Sequence, residues 1–217
     1  MTSNKVSIFA FFAIVCSSVG TVSNAALTTG CHDHAQIIHN SVDLDVNRFD
    51  GVWFEQVRTE GSPFEDECFC SQANYTLGNS GDVRIENTCR KGSAAAPISS
   101  AHGTATTPYP AHPGFLLVSF YIPFIKSSYI VIDTDYTEYA IVASCPRFFG
   151  NGLVWILTRD QAVQPEFIDH LKNKTSEFGF SRAMLIDTYQ GSHCNDSNLF
   201  RPTVINTQDH YYDMMLD

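Results

Sequence analysis

Cysteine, histidine and asparagine are the residue types whose spacing in this chain could do chemistry. Of the seven cysteines, Cys16 sits in an apolar leader, and Cys31, Cys68, Cys70, Cys89, Cys145 and Cys194 follow it. An even number downstream of such a leader reads as a disulfide framework, the chemistry of an oxidising compartment. Cys31-His32-Asp33-His34, with His39 nearby, has the residue types of a metal site. Zinc needs further ligands at characteristic spacing, and no second cluster supplies them, so a solvated N-terminal segment is expected here and no metal. There is no Ser, His and Asp set of readable spacing and no phosphate-binding glycine loop, so neither hydrolysis nor a cofactor is indicated. Asn74-Tyr75-Thr76, Asn173-Lys174-Thr175 and Asn195-Asp196-Ser197 are glycosylation acceptors in an exported chain.

Export is read from residues 1–25. Lys5 gives a positive start, Ile8 to Val15 is a short apolar core, and Ser23-Asn24-Ala25 is a small-residue cleavage site. The apolar run is too short to span a bilayer, and no later segment reaches spanning length without charges or turn formers. The formal net charge of −10 becomes −11 without Lys5, because residues 1–25 hold no acidic side chain. That balance disfavours nucleic acid and anionic membrane surfaces and favours solubility. One domain over 26–194 is expected, followed by a loose polar tail at 195–217.

The elements that must carry these residues are strands. Alternation in Gly51-Val52-Trp53-Phe54-Glu55-Gln56-Val57-Arg58 puts Trp53, Glu55 and Val57 on one face and Val52, Phe54 and Gln56 on the other. Ser71 to Leu77 and Val83 to Asn87 alternate around the turn Gly78 to Asp82, which predicts an antiparallel hairpin with Tyr75 opposed to Asn74. Residues 92–114 have a poor strand signal, leaving one edge strand at Thr104 to Thr107. Phe115 to Ile122, Ser128 to Thr134, Tyr139 to Ser144 and Gly152 to Thr158 complete eight strand candidates. A single helix begins at Pro165 and stops at Gly179, with Phe167, Ile168, Leu171 and Phe178 along one side and Asn173 away from them. A strand near Ala183 to Asp187 follows. The pattern predicts an all-β fold, an eight-stranded antiparallel up-and-down barrel with one C-terminal α-helix packed outside.

Three segments together are more specific than any of them alone: Gly51-Val52-Trp53, Asp133-Thr134-Asp135-Tyr136, and Val154-Trp155-Ile156-Leu157-Thr158-Arg159. In this order and at roughly this spacing they resemble the lipocalin signature, from about Cys31 to Cys194. The resemblance implies that Trp53 and Arg159 meet at the closed end of the barrel, guanidinium over indole, and that Asp135 and Tyr136 form a structural corner. It also implies bridges from Cys31 to Cys145 and from Cys70 to Cys194. The partner of Cys89 stays open, since Cys68 and Cys70 both lie opposite it across the hairpin.

A closed sheet of eight strands is just wide enough inside for one small ligand. The resemblance matches Tyr75, Asn87, Phe120 and Trp155 to pocket positions, and Val118 shares the face of Phe120. Asn87 is then the one clear polar group in an apolar lining. If Trp155 faces inward, alternation brings Leu153 and Leu157 with it. These features imply a secreted carrier for a small hydrophobic molecule such as a retinoid, sterol, fatty acid or tetrapyrrole. Two other readings are a lipid-modifying enzyme using Cys68 or Cys89 as an unpaired thiolate, and a module that binds a protein partner through open-end loops such as Gly92 to Gly114.

Overall fold

The computed structural model describes residues 31, 34–62, 65–78, 81–120, 126–146 and 152–194; the leader, the tail from 195 and the Asn195 sequon lie outside them. Two short helices, α1 (His34–His39) and α2 (Val46–Phe49), precede eight strands: β1 (Gly51–Thr59), β2 (Cys68–Leu77), β3 (Val83–Lys91), β4 (Ile98–Thr106), β5 (Phe115–Phe120), β6 (Ser127–Thr134), β7 (Tyr139–Ser144) and β8 (Leu153–Thr158). Helix α3 (Pro165–Glu177) and a short strand, β9 (Leu185–Asp187), follow.

Each strand from β1 to β8 pairs antiparallel with its neighbour in sequence, and β1 pairs with both β2 and β8, so the sheet closes into a barrel. Closure leaves no free edge in the ring. The first half of β1 faces β2, with Trp53 opposite Ala73, while Val57 to Thr59 pair with β9 instead. The two strands part there, and the Gln190 amide spans the gap, donating to Glu55 O at 2.9 Å and Ser71 O at 2.7 Å.

Alternation sorts the core into an inside and an outside. Along β8, Trp155 and Leu157 join the interior cluster with Trp53, Tyr75, Val118 and Val142, whereas Val154 and Ile156 face outward. Helix α3 lays Leu171, Phe167 and Ile168 over Ile156 and Val57, and Phe178 packs on the neighbouring outer cluster. Its start follows from Pro165 at the first helical position and Glu166 in the first turn.

Four expectations change. Val57 does not share the face of Trp53: the β1–β8 register shifts between Glu55 and Val57, and this bulge turns Val57 out to α3 and Arg58 in. The N-terminal segment is not simply solvated, because Ile37, Leu44 and Phe49 are buried. The strand at 104–107 is neither short nor an edge: β4 pairs with β3 from Ile98 to Ala105 and with β5 from Gly103 to Thr106. The segment near Ala183 begins as a 3-10 turn over Arg182–Met184 and is a strand only from Leu185. No helix among the described residues is long and apolar enough to cross a membrane.

Candidate functional site: a cavity inside the barrel

The closed end is built first by α2, which Asp45 caps by accepting from Asn47 N at 3.0 Å. That turn presents Phe49 to Trp53, ring centroids 5.0 Å apart, and Trp53 Nε1 donates to Phe49 O at 2.9 Å. Arg159 lies over the same indole at 3.7 Å and donates to Val52 O, Arg48 O and Tyr136 O. Gly51 opens the strand at a φ of +94°, which favours glycine, and its Cα lies against Arg159, where a Cβ would stand 3.4 Å from Nη1 in ordinary contact. The corner beside it is held by Asp135, whose carboxylate accepts from the backbone N–H of Thr137, Glu138 and Tyr139. Burial works to raise its pKa, and those donors outweigh it and hold it low. A gap of about 20 Å³ lies between Phe49 and the strands that carry Tyr75, Ile85 and Leu116.

Above it opens a cavity of about 410 Å³. All five residues proposed from sequence for the pocket, Tyr75, Asn87, Val118, Phe120 and Trp155, are on its wall, together with Leu157 and Val142. Phe120 reaches it because β4 has a glycine opposite: a Cβ on Gly103 would sit 2.7 Å from the Phe120 ring. Deep in the cavity the Tyr75 and Tyr129 hydroxyls are 2.5 Å apart, and burial pushes both well above the ordinary phenol range.

Asn87 is not the one polar group. Glu55 and Glu65 face the same space. Arg58 Nη1 donates to Glu55 Oε1 at 2.8 Å and to Thr188 Oγ1 at 3.1 Å, and Thr188 is also hydrogen-bonded to Glu55. Burial raises the Glu55 pKa against the pull of Arg58. Burial and the neighbouring Glu55 charge push the Glu65 carboxyl up to about 7, while Ser62, Arg58 and Trp155 act to lower it. On the same wall Ser71 Oγ and Asn87 Oδ1 are buried without a hydrogen-bond partner; Gln72 Nε2 and Thr88 Oγ1 lack one too, but the strand register sets them on the outer face with Phe54. Sequence alternation placed Glu55 beside Trp53. It could not place Arg58, which a bulge turns inward, or Glu65, which comes from a loop without periodicity.

Three disulfides frame the site: Cys31–Cys145, Cys68–Cys89 and Cys70–Cys194. The choice that sequence left open is made by a second bulge. The β2–β3 register shifts between Phe69 and Gln72, with Cys70 at φ +57°, so Cys68 and Cys70 do not share a face. Cys68 meets Cys89 on the cavity wall and Cys70 meets Cys194 near Tyr189. The enzyme reading therefore loses its thiolate, since its two candidate cysteines are bonded to each other. Among the described residues no group of His, Cys, Asp and Glu is placed to hold a metal.

Residues 44–190 match the family described as a lipocalin-like domain. The chain is 32% identical to apolipoprotein D of Bos taurus over 157 residues, which is 71% of this chain and 79% of that protein. Among solved structures it superposes on insecticyanin from the tobacco hornworm Manduca sexta with a TM-score of 0.59 at 19% identity, covering 71% of this chain and 85% of that one. Lobster apocrustacyanin A1 gives a TM-score of 0.56 at 18% identity, covering 69% and 81%. Those two likenesses speak for the fold, and the family match over most of the barrel, joined to the Trp53–Arg159 floor, places this chain in the lipocalin family.

Proposed function

We propose that this protein is a secreted carrier that holds one small hydrophobic molecule inside its barrel, in contact with Tyr75, Asn87, Val118, Phe120 and Trp155. The observation that carries the reading is the cavity of about 410 Å³ with aromatic and aliphatic walls. It falls in the range of about 300 to 1,000 Å³ usual for small-molecule sites. Hiding on the order of 300 Å² of apolar ligand surface gains about 7 kcal/mol at roughly 25 cal/mol per Å², and one hydrogen bond to Asn87 adds about 1 kcal/mol net. Affinity therefore follows size and shape first, among retinoids, sterols, fatty acids and tetrapyrroles. Three disulfides support an extracellular destination, and Asn173, exposed on α3, is open to a glycan. Asn74 is half-buried and less open.

The test is mass spectrometry of an organic extract of the protein purified without detergent. A small apolar molecule near one-to-one ratio is expected. An empty extract, from protein that also takes up no member of a panel drawn from those four classes, ends the carrier reading.

A further inference from the structure

The polar part of the cavity is not needed to hold a hydrocarbon. Glu65 reaches the wall from the β1–β2 connection, fastened by Ser62 and by the Trp155 indole. Its charged neighbours do not cancel it. Arg58 is committed to Glu55, to Thr188 and to the Cys68 carbonyl, and Lys91 stands exposed at the rim. The acid thus presents either a negative charge or a protonated carboxyl to whatever enters. On the same cavity wall Asn87 Oδ1 lacks a donor and the Ser71 hydroxyl lacks a partner. Ser71 is 5% exposed and the Asn87 oxygen is itself buried, so bulk water does not satisfy them. Buried polar groups left without partners are expensive in a folded protein unless something that binds there completes them.

We propose that Glu65, on one cavity wall with the unpartnered Ser71 and Asn87, makes this cavity select amphiphiles whose head is an uncharged hydroxyl over those that end in a carboxylate. The inference rests on the carrier reading and narrows its ligand classes. A hydroxyl donates and accepts at once, so it can donate to Glu65 or Asn87 Oδ1 while accepting from Ser71 Oγ. A carboxylate only accepts, and it brings a second negative charge beside Glu65 in a poorly solvated space, where like charges repel strongly. The elevated Glu65 pKa fits the same geometry, since a carboxylate ligand would have to force that proton to stay on.

The experiment compares a long-chain primary alcohol with the fatty acid of the same chain length, by tryptophan fluorescence at about pH 8, where Glu65 is mostly ionised. The alcohol should bind about tenfold more tightly or better. Glu65→Gln should close most of that gap by strengthening the fatty acid, with an unchanged far-ultraviolet circular dichroism spectrum as the sign of an intact barrel. Equal affinities in the native protein, or a tighter fatty acid, overturn the selectivity and leave the carrier reading standing. A gap that survives undiminished in Glu65→Gln overturns the role of Glu65. Binding of neither compound overturns both readings together.

Discussion

At the floor of the barrel, where Phe49 stacks on Trp53 under Arg159, the gap beside Phe49 is about 20 Å³, while further up the same strands the wall stands back from about 410 Å³. The floor has its hydrogen bonds made: the indole N–H and the guanidinium all reach backbone carbonyls. In the upper half Ser71 and Asn87 have side-chain atoms without partners, and of the two acids only Glu55 is paired with the Arg58 guanidinium. A protein interior is ordinarily packed as densely as an organic crystal. The contrast therefore separates the part of the barrel that holds the fold together from the part that gives up packing for occupancy.

Substitutions should respect that division. Trp53→Ala removes a fully buried ring and the seat of Arg159, so urea unfolding should show a loss of about 3 to 5 kcal/mol. A loss below about 1 kcal/mol would mean that the floor is not where stability is concentrated.

The upper half should respond to pH. A carboxyl whose pKa is raised on folding holds a proton that the unfolded chain gives up. Its stabilising effect is therefore present below the ordinary carboxylate range and is lost as pH rises to about 7. Glu55, shifted the same way, adds to the trend. Unfolding free energy should fall by about 1 to 2 kcal/mol between about pH 5 and about pH 8, and Glu65→Gln should flatten the slope. An equal slope in that variant would assign the titration elsewhere. The smallest effect expected is from Asn87→Leu, which exchanges one hydrogen-bonding group for apolar surface. Ligand affinity should fall about fivefold, equivalent to about 1 kcal/mol, with unfolding hardly changed. A loss as large as that from Trp53→Ala would show that Asn87 belongs to the scaffold.

Much of this architecture was legible because strands advertise themselves by alternation. Alternation showed which residues share a face, the resemblance to lipocalins set Tyr75, Asn87 and Trp155 inward, and Pro165 marked the start of α3. What escaped has a common physical cause: local departures from period two. The bulge after Glu55 exchanges Val57 for Arg58 on the inner face, and the bulge after Phe69 separates Cys68 from Cys70. Strand β4 is poor in strand-forming residues in part because Gly103 must leave room for Phe120. Helix α2 is only four residues long, too short for periodicity to announce that Phe49 would plug the barrel. Glu65 has no pattern at all, since a loop places it.

The most direct test of an occupied interior uses the two tryptophans, one in each half. Titration of a long-chain alcohol should quench the fluorescence of the native protein to saturation near one equivalent, and that response should vanish in Trp155→Phe, which leaves Trp53 as the sole emitter. Quenching that persists unchanged in Trp155→Phe, or no quenching in either protein, would contradict a ligand seated in this cavity.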